Sequence, residues 1–266
     1  MKIDMHCHTK EGSIDAKVNI ETYIKTLISK GFDGMLITDH NSYKGFEYWK
    51  NVLSKMNFQK PFVVLKGIEY DTKDAGHTIV IMPDKLPKNT QKICDKLLQT
   101  RGMTILQLEK IVHSLGGILG PAHPFGTGYF AFMNTHFGKK HPKMLKKFDF
   151  VETFNSCAKP LANIRAKHLA KRLHIAETAG SDAHIPEVIG SAFTEFSQTI
   201  KNNNDLIAAI KSRQKPQVPY KQLINMYKDK NIVVEKFGII GYWIYNRLAA
   251  FRVVLRRKKH YSFFRL

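Results

Sequence analysis

The chain has 266 residues, 43% hydrophobic and 24% charged, with 42 Lys+Arg against 22 Asp+Glu and a formal net charge of +20. That is enough for one large domain with a core. Three widely spaced cysteines, Cys7, Cys94 and Cys157, exclude a disulfide framework and a C-x-x-C site, and make a reducing, cytoplasmic setting the expectation.

The predicted elements begin at once. No apolar h-region precedes Lys2, so no signal peptide is expected. A strand at about Ile3–His6 brings His6 and His8, two apart, to one face, with Cys7 on the other. Ile20, Tyr23, Ile24, Leu27 and Ile28 form a helical stripe closed by Gly31. Strands follow at about Met35–Thr38, Phe62–Ile68 and His77–Ile81. A second stripe, Thr104 to Leu115, ends at Gly116-Gly117, and a strand at Gly117–Gly120 leads into Ala122-His123-Pro124. Strands at Phe148–Phe154 and His174–Ala179 flank a third helix over Leu161–Arg172. This alternation predicts an α/β fold of parallel strands with helical crossovers. In barrels of that kind the site lies at the C-terminal strand ends.

The segment Phe125–Lys147 interrupts the alternation. It carries Tyr129, Phe130, Phe132 and Phe137 with Lys139, Lys140, Lys143, Lys146 and Lys147, directly after His123. It reads equally as a lid offering cations and ring faces to a substrate and as a surface insertion packing its aromatics on the barrel. The tail differs again. Residues 201–266 hold 15 Lys+Arg against 3 Asp+Glu, and the apolar run Phe237–Phe251 precedes Arg256-Arg257-Lys258-Lys259. We expect a barrel over residues 1–218 and a basic, partly apolar helical extension over 219–266. Asn246 and Arg247 interrupt the run too much for a membrane span. It reads as a helix packed on the barrel, a protein contact or a membrane-surface helix. Such a surplus favours polyanions, and equally describes a plain solvated surface.

The strand ends carry the chemistry. His6, His8, Asp15, His40, Glu69, His77, His123, Asp182 and His184 are all imidazoles or carboxylates. That donor set suits Mn, Zn or Fe in hydrolytic sites. Nine donors exceed one ion and match three divalent ions if a carboxylate, best Glu69, bridges. Asp39 is expected to orient a neighbouring imidazole, and Glu152 to stand behind a ligand or face substrate. His113, mid-helix, is expected to be structural, and His136, His141, His168, His174 and His260 lack strand-end context.

The succession Asp4-Met5-His6-Cys7-His8-Thr9, Thr38-Asp39-His40-Asn41, Gly67-Ile68-Glu69, Gly76-His77, Ala122-His123-Pro124, Glu152-Thr153-Phe154-Asn155 and Gly180-Ser181-Asp182-Ala183-His184 resembles the PHP (polymerase and histidinol phosphatase) family over roughly residues 1–195. The resemblance implies a distorted seven-stranded (β/α) barrel, a trinuclear metal centre and phosphoester hydrolysis by a metal-bridging hydroxide. It assigns His6, His8, Glu69 and Asp182 to one ion, Glu69, His77 and His123 to a second, and Asp15, His40 and His184 to the third. Asp182 would steer the hydroxide proton, and His184 or a water would protonate the leaving oxygen. The chain looks most like stand-alone members that cleave small nucleotides or short RNA; a sugar- or amino-alcohol-phosphate phosphatase is the alternative. Similar members often carry an arginine soon after the Glu-x-x-Asn strand, where Cys157 stands here. Phosphate recognition then falls to Arg165, Lys159 or the insertion's Lys139 and Lys140. Rival classes are an amidohydrolase, which also uses H-x-H and a late aspartate, and a metal-stabilised nucleic-acid-binding module.

Overall fold

A computed structural model describes residues 1–56, 58, 60–228 and 237–248. The expected basic cluster Arg256–Lys259 lies outside the described residues, as does His260. The fold is mixed α/β, in a six-stranded sheet and a two-stranded sheet. The strands are β1 (Lys2–Cys7), β2 (Gly34–Ile37), β3 (Val63–Asp71), β4 (His77–Ile81), β5 (Ile118–Pro121), β6 (Phe150–Asn155), β7 (Ala176–Gly180) and β8 (Thr194–Glu195). The helices are α1 (Ile20–Ser29), α2 (Lys44–Asn51), α3 (Lys88–Leu98), α4 (Ile105–Ser114), α5 (His136–Lys140), α6 (Pro160–Leu173) and α7 (Asn203–Lys211). Residues 237–248 form a further helix, α8.

Local chemistry sets the boundaries. Asn19 caps α1 by accepting from Thr22 N, and Gly31 at φ +77° lets the chain turn away behind Lys30. Thr104 and Gln107 form a reciprocal capping box at α4. Pro160 opens α6, and His174, at φ +54°, ends it in the left-handed region. The following strand therefore starts at Ala176 rather than His174.

The large sheet runs β5-β4-β3-β2-β1-β8, and β6 pairs with β7. β1–β2, β2–β3 and β6–β7 are parallel. The expectation of parallel strands throughout fails for β3–β4, β4–β5 and β1–β8, which are antiparallel. Only the turn Thr72–Gly76 joins β3 to β4, too short for a parallel crossover. β8 is an eighth, two-residue edge strand that no apolar run announced. Asp182 N donates to His6 O at 2.8 Å and Asp149 N to Leu119 O at 2.9 Å, so the small sheet meets the large one on both flanks.

Apolar side chains divide among several buried clusters. One joins Ile3, Met5, Leu36, Leu65 and Phe150 to α7. Another sets Met35 and Ile37 against the α1 stripe. A third lies under α4 and takes Phe132, Met144 and Leu145 from the insertion. The insertion thus anchors Phe132 in the core, with Phe125 and Phe137 packed against it, while its lysines stay exposed. Beyond α7, Ile224 N and Met226 N still donate to Ser191 O and Ser156 O. Among the described residues, no helix is long and apolar enough to cross a membrane.

Candidate metal centre

β1 delivers His6 and His8 to one place, as their spacing predicts. Their rings stand 5.0 Å apart and their Nε2 atoms 3.0 Å apart. The β1–β2 register shifts between Asp4 and Cys7, a local irregularity at the strand end that presents the ligands. Glu69 enters from β3. Its Oε2 lies 3.3 Å from His6 Nε2 and 3.2 Å from His8 Nε2. Asp182 Oδ1 completes this group at 3.5 and 3.2 Å from the same two nitrogens. Asp182 and His123 both hold positive φ, +53° and +29°, a backbone cost that recurs at functional sites.

Two further groups surround the first. Glu69 Oε1 lies 3.0 Å from His77 Nδ1 and 3.1 Å from His123 Nε2. Asp15 Oδ2 lies 3.3 Å from His184 Nε2 and 3.7 Å from His40 Nε2, at the rim of the site. The His8 ring stacks on those of His184 and His40, at 4.3 and 4.6 Å. All nine donors expected from the sequence therefore converge, with Glu69 reaching two groups through its two oxygens.

These residues fit divalent ions. Glu69 is buried, yet its Oε2 has no hydrogen-bond partner among the described residues while nitrogens of His6, His8 and His40 approach it. A buried carboxylate oxygen ringed by imidazole nitrogens is a coordination environment rather than a hydrogen-bonded one. Burial pushes the Glu69 carboxyl up, but His77, His40 and His6 outweigh it and hold it well below the usual range. Asp182 behaves alike through His6 and His8. Burial lowers His8, but hydrogen bonding to Asp182 and Glu69 raises it to about 10. Burial wins at His77, which is lowered and stays neutral.

A second layer orients these donors. Glu152 Oε1 takes His6 Nδ1 at 2.8 Å, and its Oε2 accepts from His123 N and Asn155 Nδ2. Asn155 Nδ2 also reaches Asp182 Oδ2 at 3.0 Å, leaving Oδ1 for the histidines. Asp39 accepts from Thr9 N, Thr9 Oγ1 and Ser13 Oγ, and Ser13 Oγ lies 3.2 Å from His8 Nδ1. Asp39 thus acts on His8 through Ser13 rather than directly. His113 stands apart, between Glu109 and Asp149.

The expected substrate cations are spread out. Lys159 lines a cavity of about 240 Å³ with Phe125, Gly126, Thr127 and Gly128, in the loop after His123. Arg165 is exposed on α6, and Lys139 and Lys140 are exposed on α5. Three residues escaped the sequence reading. Asp71 lies at the end of β3 with Oδ1 3.1 Å from His40 Nδ1 and 3.4 Å from His77 Nε2. Arg101 Nε donates to Asp71 Oδ2 at 2.8 Å, and Tyr242 Oη of α8 donates to it at 2.9 Å. Asp71 had a signal, since it shares a strand face with Glu69 two residues before it. Arg101 and Tyr242 had none.

The fold and site together define a mixed α/β protein built around a cluster of histidines and carboxylates whose donors suit divalent metals. Residues 160–214 match the family model described as PHP-associated. The uncharacterized protein MJ0417 of Methanocaldococcus jannaschii is 26% identical over 211 residues, 77% of this chain and 75% of that one. A protein of Bifidobacterium adolescentis described as a metal-dependent phosphoesterase shares the fold at TM-score 0.52 and 14% identity, over 77% of this chain and 93% of that one. Endonuclease Q, solved with a 27-mer duplex bearing an abasic lesion, does so at 0.55 and 16%, over 82% of this chain and 58% of that one. The PHP-associated match thus spans α6 to α7.

Proposed function

We propose that this protein is a metal-dependent hydrolase of phosphoester bonds. The observation that carries the reading is the convergence of His6, His8, Glu69 and Asp182, flanked by the His77–His123 and Asp15–His40–His184 groups, around a carboxylate whose buried Oε2 has no hydrogen-bond partner among the described residues. The described phosphoesterase and Endonuclease Q support the same reaction class.

In this reading His6, His8, Glu69 and Asp182 hold one ion, Glu69, His77 and His123 a second, and Asp15, His40 and His184 a third. Manganese, zinc or iron each suits such donors. Bound divalent ions would make a water nucleophilic at neutral pH and neutralise phosphoryl oxygens. The protein's own part is positioning and proton handling. Glu69 spans two groups and fixes their separation. Asp182 and His184 are partly exposed, at 13% and 29%, and so reach a bound substrate. Asp182, held on Oδ2 by Asn155, would orient the attacking water and steer its proton. His184 Nδ1 lies 2.9 Å from Asp182 O and donates its N–H to that carbonyl, which leaves Nε2 for the third ion; a water at that group would protonate the leaving oxygen. Lys159, beside the His123 loop, is the cation best placed for substrate phosphate; Arg165, Lys139 and Lys140 would meet only a longer polyanion.

Small nucleotides and short RNA are the substrates proposed, with sugar or amino-alcohol phosphates as the alternative. A cytoplasmic setting accompanies this reading, since Cys7, Cys94 and Cys157 are free thiols. The test is a hydrolysis screen with Mn²⁺ over p-nitrophenyl phosphate, mononucleotides, 3′,5′-bisphosphonucleotides, sugar phosphates and short RNA, alongside metal analysis of the purified protein. Turnover of a phosphoester with bound metal supports the proposal. A metal-free protein that hydrolyses none of them overturns it.

A further inference from the structure

Asp71 is a buried carboxylate whose two oxygens face different ways. Oδ1 lies between two ligand histidines, 3.1 Å from His40 Nδ1 and 3.4 Å from His77 Nε2. Each of those imidazoles turns its other nitrogen to a ligand group. His40 Nε2 faces Asp15, and His77 Nδ1 faces Glu69. A carboxylate that accepts N–H from one ring nitrogen fixes the tautomer and leaves the other nitrogen's lone pair for an ion. His40 makes that hydrogen bond through Nδ1, while His77 Nε2 approaches the same oxygen without one.

Oδ2 faces outward and is itself held. Arg101 Nε donates to it at 2.8 Å, and Tyr242 Oη at 2.9 Å. Arg101 Nη2 also donates to Tyr242 Oη, at 3.4 Å. Tyr242 belongs to α8, more than 170 positions along the chain from Asp71. Its ring packs 5.2 Å from Phe130, 5.9 Å from His40 and 6.1 Å from His77. The helix has further seats on the same side: Tyr245 lies 5.0 Å from the Arg101 guanidinium, and Ile239 packs on Gly128. Gly128, at φ +55°, has no side chain to hold the helix off. Ile239, Tyr242 and Asn246 are the partly buried members of this helix, spaced three and four apart on one face.

We propose that Asp71, clamped by Arg101 and by Tyr242 of the C-terminal helix, is a positioning residue for His40, so that docking of α8 completes the metal centre. The inference rests on the metal-centre reading above and goes beyond it. The C-terminal segment is then part of the catalytic domain's working structure and not an appendage to it. Tyr242 acts through Asp71, two hydrogen bonds from any ion.

The test uses the full chain, stripped of metal by chelator and titrated calorimetrically with Mn²⁺, in the wild type and in Tyr242→Phe, Arg101→Lys and Asp71→Asn. Partners of ligand histidines are typically worth 10–100-fold in affinity, so Asp71→Asn should weaken Mn²⁺ binding by about that factor and Tyr242→Phe by about threefold to tenfold. Activity should fall through kcat at an unchanged KM, and the melting temperature of the metal-free Tyr242→Phe protein should match the wild type. Tyr242→Phe removes one oxygen from an otherwise unchanged ring, so folding is preserved even if Asp71→Asn proves unstable. Wild-type Mn²⁺ affinity in both Tyr242→Phe and Arg101→Lys overturns the inference and leaves the metal-centre reading standing. A rise in KM alone overturns it in favour of a substrate contact. Loss of one ion's stoichiometry in Asp71→Asn with unaltered binding in Tyr242→Phe overturns it by making Asp71 a direct ligand. No Mn²⁺ or Zn²⁺ binding by the wild type overturns both readings.

Discussion

Glu152 meets His6 Nδ1 at 2.8 Å from 146 positions further along the chain, and that contact turns His6 Nε2 toward Glu69 and Asp182. Both partners are almost fully buried. Replacing Glu152 with Gln keeps the shape but removes the charge and one acceptor. Metal affinity in the His6–His8 group should fall by about 10–100-fold, measured by competition with a chromogenic chelator. Unchanged affinity would show that His6 is oriented by strand packing alone.

Glu69 offers one oxygen to each of two groups. Glu69→Gln should therefore lower metal content by more than one ion per chain and abolish hydrolysis. Elemental analysis of the purified variant reads this directly. Loss of a single ion with the others retained would mean that Glu69 does not bridge.

Gly180 ends β7 against His6. A Cβ there would sit 2.2 Å from His6 Cβ and 2.6 Å from His6 N, neither of which is the movable end of a side chain. Gly180→Ala should push β7 from β1 and cost about 1–3 kcal/mol or more, as overpacking does in a close-fitting interior. We expect a lower melting temperature and loss of bound metal together. A variant with wild-type stability would show that the two strands can separate without harm.

His113 tests pH dependence away from the site. Its hydrogen bond to Asp149 is the largest influence and raises its pKa, against burial. Asp149 Oδ2 also accepts from Leu119 N, so the contact ties α4 to β5. A raised folded-state pKa means the stabilisation is complete below the unfolded value of about 6.5 and is lost as pH rises through the folded one. His113→Ala should lower the melting temperature by a few degrees at pH 6, consistent with about 1 kcal/mol at a partly exposed pair. At pH 9 the difference should shrink. Equal shifts at both pH values would remove the ionic contribution.

Much of the site was legible because its information is local. His6 and His8 share a face through strand alternation alone. Glu69, His123, Asp182 and His184 each stand near or just after the end of a strand that an apolar run announces, and His77 opens the strand that follows Glu69's. Seven of the eight strands were readable for the same reason, since each lies in a short apolar run between turn signals. β8 was missed because two residues carry no period. Alternation of strands with helices implies parallel pairing, and β3–β4 departs from it. The five-residue link between β3 and β4 decides the direction instead, because a parallel return needs a longer crossover.

Residue types at strand ends, and so the donor chemistry, were determined by the sequence itself. Which nitrogen of each imidazole faces the centre was decided only by tertiary structure, because that depends on acceptors brought from far along the chain. Glu152 selects Nε2 of His6, Ser13 with Asp39 selects Nε2 of His8, Asp71 holds Nδ1 of His40, and Glu69 meets Nδ1 of His77. Arg101 and Tyr242 have no motif of their own. Packing alone sets them on Asp71, since a buried carboxylate must find donors and no rule of spacing says which segment supplies them.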